Sequence, residues 1–151
     1  MPSLSRPRSN VAFVELTEGD LEPAARASCE TTLFARLTAS GVVPDLVAIN
    51  AAGCFFTIDE RDVAQVRAAV ASLNAALRLR TACARVTLRR GEADWPLPSL
   101  ADVLLALNAH ALEVVHVTAD ATAVDVVVAA ADARLTSGIL ASFCRPVRHV
   151  A

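Results

Sequence analysis

Apolar residues recur along the chain at two spacings, and these spacings predict the order of its elements. Residues 10–17 alternate apolar and polar positions among β-forming residues, which is typical of a strand. Residues 21–40 carry apolar residues at helical spacing, and Gly41 follows as a helix stop. The next two β-rich segments, 46–50 and 54–58, are separated by a short turn, so we predict a hairpin.

The remaining chain continues these patterns. They predict a helix over 60–74, strands over 77–81 and 84–90, a helix from residue 100, strands over 114–119 and 123–129, a helix over 132–143 and a strand over 147–150. Ser99 and Asp102 resemble a capping box at the start of the third helix. The predicted order is therefore strand, helix, strand, strand, helix, strand, and it occurs twice.

The two halves of the chain share one pattern. Residues 33–58 correspond to residues 103–128 without a gap, so that Leu37 falls on Leu107. A fixed period indicates a repeated structural unit. The βαββαβ order predicts an α+β fold of two ferredoxin-like units, each an antiparallel sheet with its helices on one face.

The pattern also predicts the unit boundaries. Residues 1–9 are polar with two prolines, and we expect a flexible N-terminal tail. The first unit is predicted over 10–82 and the second over 83–151. The C-terminal strand over 147–150 has no assigned unit from the pattern alone.

Composition and charge narrow the classes of function. Hydrophobic residues make up 54% of the chain and aromatic residues 4%, which predicts a core of small side chains. The net charge is −2 and basic residues form no run, so we expect no nucleic-acid partner. No apolar segment has the length of a membrane span or the form of an export signal, so we expect a cytoplasmic protein and no membrane partner.

Candidate reactive residues are few and scattered. The four cysteines are far apart in sequence and none has metal-ligand spacing, so reduced thiols and no metal are expected. Cys54 and His116 are the candidates for a nucleophile and its base, but a buried thiol and a strand histidine explain them more simply. No phosphate loop or catalytic triad pattern is present, so we predict a protein that is not an enzyme and needs no cofactor.

Two segments carry a family resemblance. Residues 33–50 combine an apolar helix, an Ala-Ser-Gly break, Pro-Asp and the strand Leu-Val-Ala-Ile-Asn. Residues 115–132 combine a Thr-containing strand with a strand of valines. Both resemble ACT domains, and most of all the paired ACT domains of the aspartokinase regulatory region. The resemblance covers most of residues 10–145 and implies a free-standing regulatory module, in which residues 147–150 are a candidate to complete the first sheet.

The resemblance further implies an amino-acid site at the junction of the two units. Asn50 matches the Asn of the family's Gln-Asn pair, although Ile49 stands in place of the Gln. Asp120 takes the place of Asn50 in the second unit. A helix N-terminus can hold a carboxylate, and a side-chain amide can bind either charged group of an amino acid. The candidate ligand-binding residues are Gly19, Asp20, Asn50, Thr118 and Asp120.

Departures from the family pattern leave a second hypothesis open. The family's Pro-Gly loop is absent, since residues 25–28 read Ala-Arg-Ala-Ser, and residues 95–98 of the second unit read Trp-Pro-Leu-Pro. Asn50 and Asp120 also fit turns in which the side chain bonds the backbone. The alternative is thus a ligand-free interaction module that dimerises through open strand edges. Under either hypothesis we expect a homodimer.

Overall fold

The computed structural model describes residues 1–91 and 96–145. It divides the chain into two compact units: the first unit is Asn10–Ala82, and the second unit is Met1–Ser9 together with Cys83–Ala151. Trp95 and the predicted strand over 147–150 lie outside the described residues.

The elements follow the predicted order, with one addition at the N-terminus. In chain order the strands are β1 (Ser3–Leu4), β2 (Arg8–Thr17), β3 (Asp45–Asn50), β4 (Gly53–Asp59), β5 (Ala76–Arg89), β6 (His116–Ala119) and β7 (Ala123–Ala129). The helices are α1 (Pro23–Ala39), α2 (Val63–Val70), α3 (Leu100–Asn108) and α4 (Ala133–Ala141). Short 3-10 turns occupy Glu60–Asp62, Ala130–Asp132 and Ser142–Cys144.

The first unit is an antiparallel sheet with strand order β3-β4-β2-β5. Val14 of β2 lies opposite Phe56 of β4, and Leu16 lies opposite Cys54, so these buried side chains share one face. Helices α1 and α2 cover that face with Leu33, Leu37 and Val66. Alternation along the strands and helical spacing along α1 thus meet in one core, as the α+β ferredoxin-like prediction requires.

The second unit has the corresponding sheet, in which β5 and β6 both flank β7. Its fourth strand is β1, which pairs antiparallel with β5 through Ser3 opposite Arg89 and Leu4 opposite Leu88. The core is formed by Val86 and Leu88 of β5, Val103 and Leu107 of α3, Val126 and Val128 of β7, and Leu140 of α4.

The N-terminus corrects the prediction of a flexible tail. The Ser5 N–H donates to the Thr87 carbonyl at 2.9 Å, and Leu4 packs against the second core. Strand pairing with β5 therefore orders a segment that the sequence pattern leaves unassigned. The segment is too short for alternation to be recognised.

Two predicted strands, 77–81 and 84–90, form the single strand β5. Residues 76–82 of this strand belong to the first unit and residues 83–89 to the second. No Gly or Pro separates the two stretches, so the chain remains extended apart from Ala82, whose φ is 52°. No turn-forming residue therefore marks this position in the sequence, although the first unit ends and the second begins there.

Candidate functional site

A cleft of about 440 Å³ opens at one end of the first unit. Strand β2 ends there and strand β5 begins there, while the β3–β4 turn lies beside the end of β2. The cleft is lined by Thr17, Glu18, Gly19, Leu73, Asn74, Ala75 and Ala76. Two connections therefore form it: the turn between β2 and α1, and the segment between α2 and β5.

The turn between β2 and α1 has an open conformation. Gly19 has a φ of +57°, in the left-handed region, and no other atom lies where its Cβ would be. Glu22 precedes α1 without a side-chain cap, and Pro23 starts the helix. Asp20 is exposed in the same turn. The turn thus places the backbone of Gly19 at the cleft, next to the buried residue Glu18.

Glu18 is the buried charged residue of this turn. Its side chain is only 1% exposed, and neither carboxylate oxygen has a hydrogen-bond partner. The Nε of Arg26 lies 3.6 Å from Oε2. Burial raises the pKa of Glu18 above 4.5, the nearby Glu30 carboxyl raises it further, and Arg26 opposes the rise.

Two thiols lie near these carboxyl groups. Burial, with the charges of Glu30 and Glu18, raises the pKa of Cys54 to about 12 and also raises that of Cys29. A thiol is nucleophilic as its thiolate, so these cysteines are unreactive near neutral pH.

Asn50 lies at the turn of the β3–β4 hairpin. Its Oδ1 accepts a hydrogen bond from the Ala52 N–H at 2.8 Å, which is an Asx turn. Asn50 pairs with Gly53, and Gly53 packs against the backbone of Leu16 and Thr17. Asn50 is therefore exposed at the end of the sheet where the cleft opens.

The remaining two candidates belong to the second unit. Asp120 Oδ1 accepts from the Thr122 N–H and hydroxyl, both at 2.6 Å, and from the Ala123 N–H at 3.0 Å. These bonds lower the pKa of Asp120, the Thr122 hydroxyl having the largest effect. Thr118 lies opposite Asp125 in the β6–β7 ladder. The five candidates thus divide into three in the first unit and two in the second.

Sequence reasoning missed two buried acids, Glu18 and Asp125, and the partly buried Glu30. Glu18 lies in a turn and Glu30 on a helix, so the local pattern gives no sign of burial at either position. Asp125 stands among the valines of β7, and its carboxylate accepts from Arg85 Nε at 2.7 Å and from the Thr87 hydroxyl. A lone acid within an apolar strand was the available signal for Asp125.

Within 1–91 and 96–145, no three or more His, Cys, Asp and Glu side chains are grouped so that they could hold a metal ion. No helix in the same residues has the length and apolar character needed to cross a membrane.

Comparison with known proteins identifies the fold. No protein-family model and no curated protein matches the sequence. The structure is similar to the ligand-free regulatory subunit of aspartate kinase from Thermus thermophilus, with a TM-score of 0.74, 14% identity, and 94% of this chain and 97% of that chain covered. The regulatory subunit from Thermus flavus gives a TM-score of 0.71 and 15% identity, with 94% and 97% covered.

The whole enzyme contains the same fold as a part. Escherichia coli aspartokinase III in complex with lysine and aspartate (T-state) gives a TM-score of 0.66 and 16% identity over 93% of this chain and 32% of that chain. The predicted resemblance to the aspartokinase regulatory region is therefore confirmed for the fold.

Proposed function

We propose that this protein is a regulatory ACT-type protein that binds a free amino acid and has no catalytic activity of its own. The observation that carries the proposal is the cleft between the β2–α1 turn and the α2–β5 segment of the first unit. Its volume of about 440 Å³ is within the range of roughly 300–1,000 Å³ typical of small-molecule sites.

The chemistry around the cleft suits a small zwitterion. Backbone groups of Gly19, and N–H groups near the uncapped start of α1, can serve a carboxylate. The exposed carboxylate of Asp20 can bind an ammonium group, and the amides of Asn74 and Asn50 can serve either end. The amino-acid class is supported by a protein of the same fold, aspartokinase III, whose structure holds lysine and aspartate. A site at the junction of the two units, and roles for Thr118 and Asp120, stay predictions.

The state of the buried thiols supports the proposed lack of catalytic activity. Cys54, the candidate nucleophile, is fully buried in the core of the first unit. Its pKa of about 12 keeps it protonated at neutral pH. Regulation would then work by ligand binding, which shifts a conformational equilibrium of a partner according to differential affinity.

A thermal-shift panel of the standard amino acids tests this proposal. We expect one amino acid, or a chemically related group, to raise the Tm, because a ligand at a hundred times its Kd stabilises the folded state by about 2.7 kcal/mol. Asp20→Ala should abolish the shift. Asn50→Asp should weaken it while preserving the Asx turn, because aspartate keeps the Oδ1 acceptor but loses the amide donor.

Glu22→Ala is the matched control, since Glu22 is a second exposed acid two residues beyond Asp20. It should respond to the amino acid as the wild type does. A panel in which no amino acid shifts the wild-type Tm would overturn the proposal.

The exposed apolar side chains of edge strand β3 favour the second candidate function, an interaction module. Strand β3 is an edge of the first unit's sheet, and its Val47 and Ile49 are 44% and 52% exposed. Val43, just before the strand, is 80% exposed. An exposed edge with β-branched side chains can pair with the same edge of a second copy.

Light scattering after size exclusion tests this candidate. Ile49→Lys should convert a dimer into a monomer, because a buried lysine disfavours strand pairing. Leu105→Lys, at a 72% exposed position of α3, is the control and should remain dimeric. An unchanged mass for Ile49→Lys, or a monomeric wild type, would exclude β3 as the interface.

A further inference from the structure

Two carboxyl groups lie close together at the cleft of the first unit: that of Glu18, which is buried and lines the cleft, and that of Glu30, which is partly buried. Both oxygens of Glu18 and Oε1 of Glu30 lack a hydrogen-bond partner, and the two side chains lie within hydrogen-bonding reach of each other. Arg26 Nε is 3.6 Å from Glu18 Oε2, which is too long for a strong N–H···O bond. The guanidinium group of Arg26 is thus the nearby positive charge for two carboxyl groups, Glu18 and Glu30.

A shared proton supplies a hydrogen-bond donor to these carboxyl oxygens. Two ionised carboxylates in a buried site repel each other, and each buried oxygen without a donor is costly. If one carboxyl is protonated, its O–H donates to the other carboxylate, which removes one charge and supplies the missing donor. We propose that Glu18 holds a proton that it shares with the Glu30 carboxylate through an O–H···O bond, and that this bond ties the β2–α1 turn to helix α1 at the cleft.

The surrounding groups do not replace that proton. Cys29 of α1 and Cys54 of β4 are the neighbouring thiols, and their raised pKa values keep them neutral as Glu18 titrates. The opposite wall of the cleft, residues 73–76, is Leu-Asn-Ala-Ala and carries no titratable side chain. Arg26 is thus the charge that opposes proton binding, through its ion pair with Glu18.

The proton makes the cleft sensitive to pH. The pKa of Glu18 is raised in the folded state above its ordinary 4.5, so the stability it contributes is complete below 4.5 and is lost as the pH rises through the raised value. Two carboxylates then repel each other next to the turn. This repulsion increases the mobility of Glu18 and Gly19, which line the cleft. The effect on an amino-acid ligand rests on the proposed function, whereas the proton-dependent turn does not.

Glu18→Gln provides the test in ligand-free protein, because glutamine is a neutral donor of nearly the same shape. The wild-type Tm should fall relative to that of Glu18→Gln as the pH rises from 4.5 to 8, and the variant should melt higher at neutral pH. Amide exchange of residues 18–21, corrected for its intrinsic pH dependence, should accelerate with pH in the wild type and not in the variant. Glu30→Gln should remove the pH dependence of the Tm in the same way, and it provides the test if Glu18→Gln fails to fold.

Glu22→Gln removes the same charge from an exposed position of the same turn and should keep the wild-type pH dependence. Parallel Tm curves for the wild type, Glu18→Gln and Glu30→Gln would overturn the shared proton, even if an amino acid binds. A pH-dependent turn in a protein that no amino acid stabilises would support the shared proton and overturn only the proposed ligand.

Discussion

Replacing Gly53 with alanine is expected to cost about 3 kcal/mol or more of the free energy of unfolding. Gly53 has a φ of +146°, a conformation that is nearly restricted to glycine. A Cβ at this position would overlap the Leu16 carbonyl oxygen and lie 3.3 Å from the Thr17 Cα. Both obstacles are backbone atoms of the central strand β2, so a side-chain rotation cannot relieve them. Urea denaturation monitored by circular dichroism measures the loss.

Gly138→Ala is the matched control for this change. Gly138 is exposed within α4, and nothing lies within 4 Å of the position of its Cβ. Alanine should there stabilise the protein by about 0.5–1 kcal/mol, because glycine loses more conformational freedom in a helix. If Gly53→Ala unfolds within 1 kcal/mol of the wild type, the close approach of β4 to β2 at this end of the sheet is wrong.

The periodic elements were predictable because local pattern and tertiary burial agree in them. The predicted strand over 123–129 coincides with β7, whose residues from Ala123 to Val128 are buried. Ser99 caps α3 as predicted, with its Oγ accepting from the Asp102 N–H at 3.1 Å. The helix over 60–74 was overextended: it consists of the Glu60–Asp62 turn and α2, which ends at Val70.

The ends of α1 and α3 share one backbone conformation, although the residues at the two ends differ in type. Gly41 ends α1 with a φ of 74°, and the Val42 N–H donates to the Leu37 carbonyl at 2.9 Å. At the offset of 70, Ala111 follows α3 with a φ of 54°, and the equivalent bond joins Leu112 and Leu107 at 3.3 Å. Glycine made the first stop recognisable, whereas alanine at the second gave no such signal.

The candidate site was only partly predictable, because burial of a polar residue depends on distant elements. Gly19 was a candidate through the family resemblance, and it does line the cleft. Asn50 and Asp120 have the turn contacts that their spacing also predicted, in addition to any ligand role. Glu30 of α1 lies near Glu18 of the preceding turn, and no local pattern distinguishes it from an exposed helix acid.

Deleting residues 1–7 is expected to destabilise the second unit by roughly 2–4 kcal/mol. The deletion removes β1 with its pairing to β5, the Ser5–Thr87 hydrogen bond, and the packing of Leu4 on the second core. It also uncovers the buried Pro2 site and leaves backbone groups of residues 87–89 without their partners. Hydrogen exchange should show faster exchange in residues 86–89 and 124–128.

Two point variants test whether the loss of stability comes from the contacts of β1 or from shortening the chain. Leu4→Ala should lose about 1–2 kcal/mol, because Leu4 is only partly buried, whereas Arg6→Ala should stay within about 0.5 kcal/mol of the wild type, because Arg6 is exposed. Unchanged protection of residues 86–89 after the deletion would mean that β5 does not depend on β1. The second sheet would then be complete with three strands, and the N-terminal segment would be the flexible tail that its composition suggests.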